Sequence, residues 1–323
     1  MNYKNKIKNY CNELGIDTIG TIKCRIFDEL TLVLKNRKLN GLENEFEESN
    51  LENRINLYKY MENGKTIISI AFPYLFHNKI NKGVYFSKYT QGKDYHIVVS
   101  SYLKKICSYI ESLGGKACYF VDSNALPERY IAYLAGVGFI GKNKMLITPK
   151  YGSYVFLGEI ITDIDMEEDK PKKNLCGECR LCLDSCPTGA LKEKNFNICL
   201  SYITQKKHID DKWFEKLGGR IFGCDTCQRV CPFNKNISMS NLNEFKPYDF
   251  MSKINLDELI YINNKIFKEK YKLTSSGWRG KNILQRNAII NMMKLNNLYI
   301  DKEKINSPYI LDYYNRLLDY FKL

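Results

Sequence analysis

Continuous apolar runs and stretches of helical periodicity alternate through the first half of the chain. The run TIISIAF at 66–72 is apolar until Pro73 ends it, which is typical of a buried strand, and YVFLGEIIT at 154–162 is predicted as another strand. A helix is predicted at 101–113, where apolar residues recur at helical spacing and a Gly-Gly pair follows. The remaining predicted elements are a short strand at 117–121 and a helix from Pro127 to 135.

These elements divide the chain into three consecutive regions. Strands and helices that alternate over residues 1–165 predict a sheet domain of the α/β or α+β type, of which the first 60 residues are charged and helical in pattern. A linker at 163–173, acidic and then basic, leads to a cysteine-rich region at 174–237. Residues 238–323 are predicted to be helical. No apolar stretch approaches the roughly 20 residues that a membrane-spanning helix needs.

Eight of the 12 cysteines lie in two dense groups. The first follows the pattern C-x2-C-x2-C-x3-C-P and the second the pattern C-x2-C-x3-C-P, with Cys199 upstream as a further candidate. In two-cluster ferredoxins the cysteine before proline binds the neighbouring cluster. The spacing therefore predicts two iron–sulfur cubes with crossed ligands: Cys176, Cys179, Cys182 and Cys231 on one, and Cys186, Cys199, Cys224 and Cys227 on the other.

Zinc and disulfide bonds are the two alternatives for these cysteines. Paired C-x2-C motifs also bind zinc, but a tetrahedral site has no use for the longer run that ends in proline. The chain begins MNYKNKIKNY, without an apolar signal region or a twin arginine, so disulfides are not expected. The other four cysteines (Cys11, Cys24, Cys107 and Cys118) have apolar neighbours and are predicted to be small core residues.

The formal net charge of +13 and the pI near 9.0 favour a polyanionic partner. The lysine-rich composition weakens that argument, since a genome-wide bias could produce it. The distribution is more informative, because residues 264–294 contain eight basic side chains and one acid, Glu269. This stretch also contains Trp278, and it is predicted to contact phosphates rather than to be only a solvated face.

Three peptides outside the cysteine groups could contribute to chemistry. GKDYH at 92–96 places His96 just before the strand-like sequence IVVS, although a lone histidine is more often structural. Asp122 follows a predicted strand, where it could cap the next helix or act as a general acid if burial raised its pKa. GFIGKN at 138–143 matches neither a dinucleotide fingerprint nor a P-loop, so neither nicotinamide nor a nucleoside triphosphate is supported.

These peptides together resemble the epoxyqueuosine reductase family. The resemblance covers most of residues 54–290 and rests on GKDYH, VDSNALPERYIAYLAGVGFIGKNKMLITPKYGSYVFLGEIIT, CGECRLCLDSCPTGAL, CLSYITQ, GCDTCQRVCPFNK and SGWRGKNILQRNAI. It implies a cytoplasmic oxidoreductase that completes queuosine synthesis on tRNA by reducing epoxyqueuosine at the wobble position. The implied fold class is α+β, with an α/β-type cobalamin-binding sheet domain at 1–165, a bacterial ferredoxin-like domain with two [4Fe–4S] clusters at 174–237, and a helical, shortened HEAT-like, tRNA-facing segment at 238–323.

The resemblance also implies roles for individual residues. Asp122 matches the proton donor to the departing epoxide oxygen, and a carboxyl group kept neutral by burial would serve that role. The eight cysteines match the cluster ligands, including Cys199. Positions that match the corrinoid-lining residues are Arg54, Ser87, Asp122, Leu146, Leu157, Ser201 and Asp225. Positions assigned to tRNA binding are Lys207, Trp278, Arg279, Lys281 and Arg286.

Two departures from the family pattern qualify these expectations. Ser87 stands where some members have a cysteine close to cobalt, so no catalytic thiol is expected there. The chain also stops soon after Arg286, where many members continue into helical repeats, so fewer contacts are expected to hold tRNA. The implied partners are tRNA and an external low-potential electron donor, and the protein is expected to be a monomer. The alternatives are a corrinoid reductive dehalogenase and a ferredoxin-like electron carrier.

Overall fold

The computed structural model describes residues 2–77, 83–296 and 300–322. The chain forms two compact units, each made of three separate segments. Unit 1 comprises Met1–Leu75, Tyr95–Asp184 and Gln228–Asn243, whereas unit 2 comprises Phe76–Asp94, Ser185–Cys227 and Glu244–Leu323. The units differ from the three consecutive regions predicted from the sequence, because the chain leaves and re-enters each unit twice.

Short helices and strands, many joined by 3₁₀ turns, make up both units. In chain order the α-helices are α1 (Tyr3–Glu13), α2 (Thr31–Leu39), α3 (Leu51–Ile55), α4 (Tyr95–Ser112), α5 (Glu128–Leu134), α6 (Leu181–Ser185), α7 (Leu200–Ile203), α8 (Thr226–Arg229), α9 (Asp249–Ser252), α10 (Leu256–Ile260), α11 (Asn264–Glu269), α12 (Lys281–Asn296) and α13 (Pro308–Phe321). The strands are β1 (Ile19–Lys23), β2 (Thr66–Pro73), β3 (Tyr85–Phe86), β4 (Ala117–Phe120), β5 (Phe139–Ile140), β6 (Leu146–Ile147), β7 (Val155–Thr162) and β8 (Arg220–Phe222).

Unit 1 contains a four-stranded sheet with strand order β1-β2-β7-β4, and every pairing in it is antiparallel. β2 and β7 pair along their whole length, from Thr66 opposite Thr162 to Pro73 opposite Val155. All eight residues of β2 are buried, in agreement with its unbroken apolar run. The antiparallel pairing decides between the two predicted sheet types in favour of α+β.

The sheet of unit 1 is covered by a helix on each face. Gly158 lies on the face covered by α4, where a Cβ at this position would come within 3.0 Å of Val99. The next residue, Glu159, points to the opposite face, because side chains alternate along a strand. Ile161 shares that face and packs in one core with Ile131 of α5. The only acid in β7 therefore lies beneath α5 in an otherwise apolar layer.

Unit 2 is organised around α12, which buries polar side chains as well as apolar ones. Asn287 donates to the backbone carbonyl of Ile221 at 2.7 Å, and Asn291 donates to that of Arg220 at 3.0 Å. Both side chains are fully buried. Because a buried amide needs a partner, these bonds fix β8 against α12.

Three features of local structure differ from the sequence prediction. The strand-like IVVS at 97–100 belongs to α4, because Val98 and Val99 pack on its buried face and override their strand propensity. Asp122 does not cap a helix, since α5 begins at Glu128 after Pro127. The first 60 residues contain β1 in addition to helices. Among the described helices, none combines the length and apolarity required to cross a membrane.

Candidate redox and catalytic site

Four thiols of unit 1 line one pocket together with Lys142, Asn143, Ile147, Pro232 and Phe233; they are those of Cys176, Cys179, Cys182 and Cys231. The backbone N–H of Lys142 donates to Sγ of Cys176 at 3.4 Å. Burial raises the pKa of Cys182, and the thiols of Cys176, Cys231 and Cys179 raise it further. The four sulfurs are thus close enough to oppose one another's ionisation, which a bound cationic iron cluster would relieve.

The other four cysteines of the two groups lie in unit 2, and they are Cys186, Cys199, Cys224 and Cys227. Burial raises the pKa of Cys199, to which the thiols of Cys224 and Cys186 contribute. Burial also acts to raise the pKa of Cys186, but backbone N–H groups, led by that of Leu191, outweigh it and lower the pKa. Nε of Arg220 donates to Sγ of Cys224 at 3.1 Å. Donors to sulfur of this kind stabilise thiolates as cluster ligands.

The two units therefore divide the eight cysteines into the same two sets of four that the sequence predicted. Cys199, which spacing alone left open, lies in one unit with Cys186 and Cys224. Among the described residues, no three His, Cys, Asp or Glu side chains form a group suited to a single metal ion. The assignment of one cube to each set stays a prediction.

A second constellation in unit 1 joins Tyr95, His96 and Asp122. The Tyr95 hydroxyl donates to Oδ2 of Asp122 at 2.5 Å, and Nε2 of His96 lies 3.2 Å from the same oxygen. The ring of Tyr95 stacks on His96 and on Phe156, with centroid distances of 4.1 and 4.3 Å. Because Tyr95 and His96 occupy the first turn of α4, the start of this helix delivers two proton-bearing groups to one carboxylate oxygen.

The environment of Asp122 differs from the expected neutral acid. Its side chain is 55% exposed. What burial it has raises the pKa, but hydrogen bonds from His96 and Tyr95 outweigh this and hold the pKa below its ordinary value. The protein groups alone therefore do not keep this carboxyl protonated, and the expectation that burial against the corrinoid face does so stays a prediction. Asp122 is a carboxylate at neutral pH, and proton-bearing groups bond to it directly.

Two glutamates near Asp122 were not singled out from the sequence. Oε1 of Glu128 accepts a hydrogen bond from the backbone N–H of Asp122 at 2.7 Å. Burial and the Asp122 carboxylate raise the pKa of Glu128 to about 7. Glu159 is fully buried, and burial together with Glu128 raises its pKa well above the ordinary value. The available signal was a glutamate inside the apolar run YVFLGEIIT.

The remaining positions assigned to the corrinoid lie in both units. In unit 1, Leu146 is buried and Leu157 is partly buried, and the Arg54 guanidinium lies 3.5 Å from both Glu43 and Glu47. These leucines offer apolar contact, whereas Arg54 already has two ion pairs.

In unit 2, Ser87 is fully buried, and among the described residues its Oγ has no hydrogen-bond partner. Gly223, in the left-handed region at φ 76°, lies against it, and a Cβ there would come within 2.4 Å of that oxygen. Asp225 is buried and its Oδ2 accepts from the backbone N–H of Lys88 at 2.8 Å, while Ser201 is partly buried. An unpartnered buried hydroxyl beside a glycine fits a polar group of a bound cofactor.

The positions assigned to tRNA fall into two kinds. Trp278 is 52% exposed, and its Nε1 donates to Oε1 of Gln205 at 3.0 Å. The Arg279 guanidinium lies 4.8 Å from the Trp278 ring, Lys207 is exposed and Lys281 is partly buried. Arg286 is fully buried and donates to backbone carbonyls, so its assignment to tRNA contact is wrong. Trp278 and Arg279 thus form an accessible aromatic–cation pair, and Lys207 is exposed as well.

Two family models match the regions that contain these features. Residues 175–234 match the 4Fe-4S double cluster binding domain, which covers all eight cysteines described above. Residues 54–123 match the model described as epoxyqueuosine reductase QueG, DUF1730, which includes Tyr95, His96 and Asp122. Together the two matches define the class of protein as an iron–sulfur oxidoreductase.

Relatives identify the family. The chain is 38% identical over 301 residues to epoxyqueuosine reductase of Bacillus cereus, which covers 89% of this chain and 79% of that protein. A crystal structure of epoxyqueuosine reductase with an epoxyqueuosine-modified tRNA-Tyr stem loop matches with TM-score 0.86 and 34% identity, over 98% of this chain and 93% of that one. The Bacillus subtilis enzyme, with its aspartate-bearing catalytic loop swung out of the active site, matches with TM-score 0.84 and 33% identity, over 98% and 94%. The chain belongs to the epoxyqueuosine reductase family.

Proposed function

We propose that this protein reduces epoxyqueuosine to queuosine in tRNA, using two [4Fe–4S] clusters and cobalamin. Two electrons and two protons convert the epoxide into an alkene and water. The observation that carries the proposal is the Tyr95–His96–Asp122 constellation on a chain that aligns over 98% of its length with an epoxyqueuosine reductase bound to a modified tRNA stem loop. The dehalogenase and electron-carrier alternatives have no comparable support.

The protein groups supply and hold the protons. A proton delivered to the epoxide oxygen from Oδ2 of Asp122 must first reach that carboxylate, because its pKa lies below the ordinary value. The Tyr95 hydroxyl and Nε2 of His96 are the groups positioned to pass one there. In this scheme Asp122 is the final proton carrier, and Tyr95 and His96 replenish it.

The cofactors are assigned to residues by the same reasoning. The cysteine set of unit 1 and that of unit 2 would each hold one cluster. In unit 1, Leu146 and Leu157 would offer apolar contact to a corrinoid, and in unit 2 the unpartnered hydroxyl of Ser87 would suit a polar group of a cofactor. When bound, the clusters supply single electrons at low potential and cobalamin supplies a cobalt centre able to attack carbon. An external low-potential donor provides the electrons.

The tRNA-binding surface includes Trp278, Arg279 and Lys207, because an exposed indole can stack on a base while the cations contact phosphates. No sequence-specific contact is needed from the phosphate-binding groups, which set register only. We place the reaction in the cytoplasm and assign the protein as a monomer.

Nucleoside mass spectrometry of tRNA tests the proposed function. A strain that lacks the gene, and that has no second epoxyqueuosine reductase, should accumulate epoxyqueuosine and lose queuosine. Complementation with the intact gene should restore queuosine, whereas a Cys182→Ala gene should not. Unchanged queuosine in the deleted strain would contradict the proposal.

A further inference from the structure

The segment that carries Asp122 is tied to a single side chain of the next helix. Oε1 of Glu128 accepts hydrogen bonds from the backbone N–H of Asp122 at 2.7 Å and from Nδ2 of Asn124 at 2.9 Å. The Oδ1 of Asn124 then accepts from the backbone N–H of Leu126 at 2.7 Å. The connection between β4 and α5 thus closes on the Glu128 carboxylate.

The backbone conformation at Asp122 needs hydrogen bonds of this kind to stabilise it. Its φ is 45°, in the left-handed region that residues with a Cβ adopt only at a cost in free energy. In this conformation the backbone N–H points to Glu128 while Oδ2 meets Tyr95 and His96. A relaxed backbone would lose both sets of contacts together.

The sheet face beneath α5 affects how strongly the Glu128 carboxylate can accept hydrogen bonds from the Asp122 segment. Glu159 lies there fully buried; its Oε1 accepts from the hydroxyl of Ser69 at 3.1 Å, and among the described residues its Oε2 has no partner. A protonated Glu159 leaves Glu128 as the group that ionises, and an ionised carboxylate accepts hydrogen bonds more strongly than a neutral one. The charged groups that act on Glu128 are Asp122, which opposes its charge, and Arg129, which favours it. Glu159 is the titratable group beneath it, and Glu128 in turn raises the pKa of Glu159.

We propose that Glu128 is a positioning residue whose carboxylate holds the Asp122 segment in its left-handed conformation, with Glu159 as the neutral support beneath it. This goes beyond the proposed function because it assigns the conformation of the segment that carries the proposed proton donor to a specific acceptor. In a relative, a catalytic aspartate loop has been observed swung out of the active site, which shows that such a segment can leave.

Amide hydrogen exchange of the purified protein tests the tie independently of turnover. Glu128→Ala should speed exchange of the backbone amides in the peptide that spans 121–126 by about tenfold or more, because the charge-assisted bond is lost. Glu128→Gln, whose Oε1 still accepts, should fall between Ala and the unmodified protein. Glu111→Gln, at an exposed position of α4, is the matched control and should change nothing. Peptides from β2 and β7 report whether each variant stays folded.

Turnover supplies the second arm, and only this arm rests on the proposed function. Glu128→Ala should lower kcat about tenfold or more with KM for tRNA unchanged, and Glu128→Gln should recover part of it. The advantage of glutamate over glutamine should grow as pH rises through about 7, where Glu128 becomes charged. Asp122→Asn keeps its backbone N–H, so it should lose turnover without faster exchange.

Exchange at 121–126 that is the same in Glu128→Ala and in the unmodified protein, with β2 and β7 protected in both, would overturn the inference. Equal turnover for the glutamate, glutamine and alanine forms would overturn it as well. If turnover of epoxyqueuosine is absent even in the unmodified holoenzyme while the exchange pattern holds, the proposed function fails and the tie stands.

Discussion

Each unit of this protein buries an ionisable side chain completely, but the two side chains differ in how their polar atoms are satisfied. In unit 2 the Arg286 guanidinium donates to the backbone carbonyls of Thr204, Lys206 and Lys207, and to the Tyr309 hydroxyl. In unit 1 the Glu159 carboxyl accepts one bond from Ser69, and its second oxygen has no partner among the described residues. Both side chains are fully shielded from solvent.

The difference teaches how to interpret a buried charge. Arg286 is held by three backbone carbonyls, the Tyr309 hydroxyl and Oδ1 of Asn287, so it serves the fold. Glu159 is incompletely satisfied, and burial together with the neighbouring Glu128 raises its pKa, which favours its neutral form. A buried ionisable group whose hydrogen bonds are satisfied thus stabilises the fold. The buried group with an unpaired oxygen lies instead next to the proposed proton donor.

The largest effect is expected from a variant that removes the hydrogen-bond network of Arg286. Arg286→Ala should lower the free energy of unfolding by about 3–5 kcal/mol, because three backbone carbonyls lose a charged donor in a buried site. Thermal or denaturant unfolding of the holoprotein measures the change. Arg279→Ala is the matched control, since Arg279 is partly exposed and donates to the carbonyl of Gln205. A loss below about 1 kcal/mol for Arg286→Ala would show that the network is not structural.

Asp122→Asn should have the next largest effect, on activity alone. Asparagine keeps the shape and can still accept from Tyr95, but it cannot carry the proton to oxygen. Turnover should fall about a hundredfold or more, as for other lost general acids, while the iron content, bound corrinoid and melting temperature stay unchanged. Activity within about threefold of the unmodified enzyme would remove Asp122 from the proton path.

A moderate effect is expected at the exposed surface of unit 2. Trp278→Ala should weaken tRNA binding by about tenfold, since stacking of a base on an aromatic ring is worth roughly 1–3 kcal/mol. Lys207→Gln should weaken it less and reduce the salt slope of log K by about 1. Fluorescence anisotropy over a range of salt concentrations measures both effects. Lys104→Gln, exposed on α4, should leave binding unchanged; an equal loss there would point to net charge rather than to this surface.

The smallest effect is expected for Glu159 in unit 1, where the pH dependence of stability tests whether the buried carboxyl is neutral. The pKa of Glu159 is raised in the folded state, so the unfolded state releases this proton at lower pH and folding stability falls as pH rises above the unfolded value. Glu159→Gln does not titrate, so its stability should match the unmodified protein near pH 4. At pH 8 it should exceed it, by on the order of 1 kcal/mol. Melting temperatures measured from pH 4 to 8 test this, and a variant that is less stable at pH 8 would contradict the assignment of Glu159 as neutral.

The sequence was sufficient for elements whose pattern is unambiguous. The apolar run at 66–72 became β2, the run at 154–162 became β7, and Pro127 marked the start of α5, because burial on both faces and proline at a helix start leave few alternatives. The antiparallel order of the sheet could not be read in the same way, since it depends on which strands pair rather than on their composition.

The candidate site was predictable only in part, for identifiable reasons. Arg286 was counted with the surface charges, although it lies three residues after Ile283 and four before Ile290, on the buried side of α12. Asp122 was singled out by its position after a predicted strand and then by resemblance, but its pKa depends on His96 and Tyr95, which are distant in sequence. Glu128 was not singled out because it lies in the first turn of a predicted helix, where an acidic residue is common.

The division of each unit into three segments has a consequence for how the polypeptide is made. During synthesis, the first three cysteines of the unit 1 set emerge before any cysteine of the unit 2 set, yet their fourth member, Cys231, emerges last of all eight. The set of unit 2 is therefore complete while that of unit 1 still waits for its final member. A chain cut between Cys227 and Cys231 would retain one full set and leave the other permanently open.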